Sequence, residues 1–159
     1  MPNWVKNVIS FDGASKEKIA EILETIRGEH GAIDFEKIIP MPDYIFRGDL
    51  GREEEELYGK NNWYAWSVEN WGTKWNACYS CAGDDSVTFE TAWSAPFPVL
   101  KKLSEMFPGV TIVHSYADED IGYNCGKGMF ANGLYRRTSK FQIGGKTAIK
   151  FAKDMWGEY

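Results

Sequence analysis

The chain has 159 residues, enough for one domain that buries most of its apolar surface in a single core. Its 43% hydrophobic content excludes a disordered polypeptide, and no apolar run is long enough to cross a bilayer. The net charge of −5 opposes tight binding to a phosphate backbone across the whole molecule, while 15% aromatic residues favour a sheet-containing fold.

Met1-Pro2-Asn3-Trp4-Val5-Lys6 carries neither the apolar stretch nor the small-residue cleavage site of a signal peptide, so a cytoplasmic location is expected. Cys78, Cys81 and Cys125 are an odd count, which fits reduced thiols in that compartment. Trp4 to Phe11 reads as a strand closed by the turn pair Asp12-Gly13. Ser15 can then cap a helix whose Ile19, Ile22, Leu23 and Ile26 fall at i, i+3, i+4, i+7, with Gly28 and Gly31 as candidate stops. From Ala32 to Asn62 the pattern is mixed. Ile33, Phe35, Ile38 and Ile39 fit a short strand or an extended packed segment, and Pro40-Met41-Pro42 forces extended backbone. Arg52 to Tyr58 reads as an acidic surface helix, with Glu53, Glu54, Glu55 and Glu56 on a solvated face. Asn62-Trp63-Tyr64-Ala65-Trp66 has room for another short helix.

From Thr73 the period becomes two. Trp75, Ala77 and Tyr79 are expected on one side, with Trp75 facing the core, and Asn76, Cys78 and Ser80 on the other. Gly83-Asp84-Asp85 marks a hairpin, and Val87, Phe89, Thr91 and Trp93 share one face of the returning strand. Ser94-Ala95-Pro96 is expected to open a helix, serine as cap, with Phe97, Leu100, Leu103 and Phe107 as its buried stripe. A strand follows from Val110 to Ala117. Asn132-Gly133 signals a second hairpin, and Lys146 to Trp156 an amphipathic terminal helix. Strand, helix, strand, strand, helix, strand is the ferredoxin-like order. The expected fold is α+β: one ferredoxin-like domain over 1–159, with an insertion at about 32–72 and an extension at about 122–159. The insertion and the extension are both candidates to cover the sheet face opposite the two helices.

Several segments resemble one known family. They are Met1-Pro2-Asn3-Trp4-Val5, Ile38-Ile39-Pro40-Met41-Pro42, Glu69-Asn70-Trp71-Gly72-Thr73-Lys74-Trp75-Asn76-Ala77, Phe89-Glu90-Thr91-Ala92-Trp93-Ser94-Ala95-Pro96 and Tyr116-Ala117-Asp118-Glu119-Asp120-Ile121-Gly122. The chain resembles, from Met1 to about Gly128, the YubB-like group of plasmid, prophage and phage proteins, which carry a ferredoxin-like domain. That resemblance implies a mobile-element protein of a bacterial host and supplies no catalytic residues. The fold name describes a topology and implies no iron–sulfur cluster.

The residues themselves hold no strong catalytic signature. Cys78-Tyr79-Ser80-Cys81 has CxxC spacing, but strand alternation is expected to send the two thiols to opposite faces, which opposes zinc and redox chemistry. Gly126-Lys127-Gly128-Met129-Phe130-Ala131 precedes a hairpin rather than a helix, so it is no dinucleotide fingerprint. His30 and His114 read as structural, and no cofactor or metal is expected. Asp118, Glu119 and Asp120 are candidate binding residues that read chiefly as an acidic turn. The expected function is protein binding, with inhibition of a host defence protein as its sharpest form. Trp71, Lys74, Glu53–Glu56 and Asp118–Asp120 are the candidate contact residues. The alternatives are a nucleic-acid module using Arg136, Arg137, Lys140, Lys146, Lys150 and Lys153, and a cation-dependent enzyme. A homodimer closing an uncovered sheet edge is a further option, and no membrane partner is expected.

Overall fold

Residues 2–157 are described by a computed structural model. Strand β1 (Trp4–Asp12) leads into helix α1 (Lys16–Ile26), whose first turn is capped by the Ser15 hydroxyl accepting from the Lys18 N–H. A 3₁₀ turn at Phe35–Lys37 and helices α2 (Arg52–Tyr58) and α3 (Trp63–Asn70) form the insertion. Strands β2 (Cys78–Ala82) and β3 (Ser86–Ala92) make the first hairpin, followed by α4 (Phe97–Met106) and β4 (Thr111–Asp118). The second hairpin, β5 (Cys125–Ala131) and β6 (Leu134–Arg137), and helix α5 (Lys146–Trp156) complete the chain.

The six strands form one antiparallel sheet in the order β2-β3-β1-β4-β5-β6. Its first four positions are the ferredoxin-like arrangement, and β5 and β6 extend it on the β4 side. The turn signal at Asn132-Gly133 works as expected, because both residues take positive φ as a tight hairpin turn requires.

Alternation along β1 decides the layers. Ile9 and Phe11 point toward α1 and α4 and join Val87, Phe89, Ile112, Ile22, Ile26, Val99, Leu100 and Leu103 in the main core, while Val5, on the same face, packs with Ala95 and Tyr116 in a smaller cluster. Ile33, Phe35, Ile38 and Trp71 belong to that same core, so the insertion thickens the helix side. The opposite face is covered by the tail alone: α5 lays Ala148 and Ala152 against Ala117 and Cys125 on the β4–β5 side. Trp156 donates its indole N–H to the Ala117 carbonyl at 2.9 Å, fixing the end of that helix. The end of α5 reaches β1 only through Lys6, whose ammonium lies 4.6 Å from the Trp156 ring centroid, and the face over β2 and β3 is left open.

A polar chain crosses the core through the three central strands. The Asn7 amide nitrogen donates to the Val5 carbonyl and to Thr91 Oγ1, leaving Oδ1 as acceptor for His114 Nε2 at 2.8 Å. His114 Nε2 therefore carries the hydrogen, and Nδ1 is a bare, buried acceptor without a partner among the described residues. Burial among Phe97, Tyr116 and Phe130 pushes the imidazole pKa down to about 3. This histidine stays neutral and locks strand register.

Candidate binding site: an aromatic surface held by strained turns

The stretch from Glu69 to Asn76 divides between core and surface. α3 runs through Asn70 and is longer than the expected short helix, so the stretch begins as its last turn. Trp71 is the buried member: it is 3% exposed, packs edge-to-face on Phe35 and Trp66, and donates to the Ile39 carbonyl at 2.9 Å. Gly72 takes φ 79°, and a Cβ there would lie 2.8 Å from Pro98 Cδ, so both backbone and space demand glycine. Asn76 accepts from the Phe35 N–H and donates to Asp34, tying the insertion to the sheet. Trp75, expected in the core, is instead half-buried and tilted against Trp4 at 5.9 Å. The period-two reading fails here because regular strand begins only at Cys78, and Trp71 already fills the core position.

Trp93 makes the largest departure. Alternation along β3 places it beside Val87 and Phe89, yet its φ is 67° and its side chain is 46% exposed. A left-handed backbone is a genuine outlier for a bulky side chain and costs about 1–3 kcal/mol. The surrounding bonds over-determine it. Trp93 N–H donates to the Asn3 carbonyl, its own carbonyl accepts from Asn124, and Ser94 N–H turns back to Ala92. Thr91 Oγ1 donates to the Ser94 carbonyl at 2.7 Å, and the Ser94 hydroxyl donates to the Gly72 carbonyl. Ser94 is thus consumed by this turn and is not the helix cap that the sequence predicts; Pro96 stands at that position without a side-chain bond.

Tyr79 repeats the pattern. A bulge between Cys78 and Cys81 gives it φ 49° and leaves it 74% exposed, edge-on to Trp4 at 5.6 Å. The bulge also overturns the expectation for the cysteines. Cys78 pairs with Glu90 and Cys81 with Thr88, two positions on one face of β3, so both thiols share a face. Burial and the neighbouring Glu90 push the Cys78 thiol up, away from the reactive thiolate. Glu90 is itself raised by burial, with Lys6 opposing and Glu119 reinforcing the shift.

These features assemble one surface. Tyr79, Trp4 and Trp75 run along the open sheet face, and Trp93 and Tyr64 continue it toward α3. Lys74 lies between the two indoles, its ammonium 4.0 Å from the Trp75 ring centroid and 4.2 Å from that of Trp93. It forms no ion pair with a carboxylate among the described residues. Positive φ at an exposed aromatic residue was the feature hidden from the sequence. Of the candidate contact residues, Lys74 is the one whose side chain lies between these rings.

The other candidates lie elsewhere or in supporting roles. Asp118 is buried and accepts from Asn3, Asn124 and the Asp120 N–H, so it builds the turn from which Glu119 and Asp120 project. Asn124 bonds both Asp118 and the Trp93 carbonyl, which places this acidic turn beside the aromatic surface. Glu53–Glu56 lie on α2, where Glu54 accepts from the Gly51 N–H and Glu56 pairs with Arg52. The basic residues are exposed but divided, with Arg136 and Arg137 on edge strand β6 and Lys146, Lys150 and Lys153 on α5. Among the described residues no three His, Cys, Asp or Glu side chains converge on a metal position, and no helix is long and apolar enough to cross a membrane.

Comparison with curated proteins gave no match. Among solved structures, the crystal structure of a protein api92 from Yersinia pseudotuberculosis is similar, with 18% sequence identity and a TM-score of 0.43. The similarity covers 69% of this chain, which spans 40% of the length of that protein. A family model described as a ferredoxin-like domain in Api92-like protein matches residues 70–156. The match begins at the end of α3 and continues through α5, past Gly128, where the motif resemblance fades. It takes in more than half of the residues, and the chain accordingly belongs to the family of ferredoxin-like domains in Api92-like proteins.

Proposed function

We propose that this chain is a partner-binding module that recognises another protein through the surface formed by Tyr79, Trp4, Trp75, Lys74, Trp93 and Tyr64. The observation that carries the reading is the left-handed backbone at Trp93 and Tyr79. Strain of this kind sets a large aromatic side chain at the surface instead of in the core, and it persists only where surrounding structure holds it. Tryptophan and tyrosine are also the side chains that dominate binding energy at protein interfaces, and rigid display lowers the entropy lost on association. The finer form of the proposal is an accessory protein of a mobile element, working in the cytoplasm of a bacterial host and blocking a defence protein. Its support is the resemblance of the Glu69–Ala77 and Phe89–Pro96 motifs to the YubB-like group, together with the acidic face of α2.

Affinity capture from a bacterial host lysate tests the reading. The native chain should retain a defined protein that Trp93→Asn and Tyr79→Gly variants of equal stability release. Retention of the same proteins by all three chains would reject this surface. Charge reversal of Glu53–Glu56 tests the finer form: a partner held equally well after reversal does not use the acidic helix.

A further inference from the structure

Lys74 identifies the chemistry of the partner. Its ammonium is half-buried between two indole faces, yet it makes no ion pair and no hydrogen bond among the described residues. Cation–π contacts hold such a group in place but leave its three N–H donors without acceptors of opposite charge. The two residues that flank it are themselves held, Trp93 through its backbone bonds in the turn and Trp75 through ring contact with Trp4 at 5.9 Å. A lone, pre-positioned cation with apolar walls is complementary to a single carboxylate carried beside an apolar side chain. The carboxylate accepts from the ammonium while its neighbour covers an indole.

The surroundings separate this ligand from a polyanion. Asp118 is linked to the Trp93 carbonyl through Asn124, and the Glu119 N–H donates to the carbonyl of Trp4. Glu119 and Asp120 therefore stand at the rim with exposed carboxylates. Their field repels a run of phosphates yet admits one carboxylate, and it favours a basic residue at the rim. Resting on the partner-binding reading above, we infer that the aromatic surface receives a peptide segment with one Asp or Glu seated on Lys74. An apolar neighbour lies on Trp75 or Trp93, and a basic residue meets Glu119 and Asp120.

Selection of short random peptides displayed on phage against the folded chain tests this directly, with Trp93→Asn as the counter-selection. The expected peptides carry an acidic residue next to an apolar one, with a basic residue nearby. In titrations followed by indole fluorescence, Lys74→Met should weaken a selected peptide roughly 10- to 100-fold, the usual worth of a hydrogen bond to a charged group. Lys74→Glu should exchange the preferred acid for Lys or Arg. Peptides lacking an acidic residue, or the same peptides selected by Lys74→Glu, would overturn the carboxylate assignment while leaving the partner-binding reading standing. Removal of every enriched peptide by the Trp93→Asn counter-selection, or binding of a single-stranded oligonucleotide in place of any peptide, would overturn both.

Discussion

Trp71 and Trp93 sit on either side of the same seam and have opposite fates. Trp71 has ordinary helical backbone at the end of α3, reaches the core and satisfies its indole N–H on the insertion. Trp93 is turned outward by a left-handed backbone that four neighbouring segments hold in place. The first tryptophan buries its surface in the core, and the second leaves nearly half of its surface in water. Aromatic residues clustered in sequence need not share a purpose, and backbone conformation divides them more sharply than composition does.

The largest expected effect lies on the core side. Trp71→Ala should lower unfolding free energy by about 3–5 kcal/mol, as for other buried large aromatic residues, measured by denaturant titration. A loss below about 1 kcal/mol would erase the distinction from Trp93. Next is His114, whose folded pKa of about 3 lies below its ordinary 6.5. The unfolded chain binds the extra proton between these values, so stability present above pH 6.5 is lost as pH falls toward 3. The loss is on the order of 4 kcal/mol, and His114→Gln, which keeps a donor for Asn7, should flatten that part of the profile relative to the native chain.

Smaller effects belong to the surface. Trp75→Ala should cost about 1–2 kcal/mol, because only part of its area leaves water. Trp93→Asn should change stability by less than about 1 kcal/mol, since asparagine tolerates the left-handed region and strain relief offsets the lost ring contacts. A loss above about 3 kcal/mol would make Trp93 a folding residue and break the comparison. Glu90→Gln should show the smallest change. Its folded pKa is raised, so the native chain loses stability as pH rises through that value, and the variant should melt higher than the native chain at pH 7 and equally near pH 4.

The frame of the fold is written in local signals along the chain. The apolar period of α1 and α5, the hairpin at Asn132-Gly133 and the strand–helix order are local or near-local signals, and they lead to the ferredoxin-like sheet with its tail. The stretch Glu69–Asn76 was also legible as the handover from insertion to sheet, and Lys74 within it as a candidate contact residue. Tertiary structure decided which aromatic residues face inward. Trp71 outcompetes Trp75 for the core because α3 carries it there. The β2 bulge puts Cys78 and Cys81 on one face against the alternation rule. Trp93 is displayed through bonds to Asn3, Gly72 and Asn124, residues distant in sequence. A positive φ at tryptophan is opposed by local preference, and the short-range bonds within Thr91–Ser94 hold it together with long-range bonds that no reading of neighbouring residues contains.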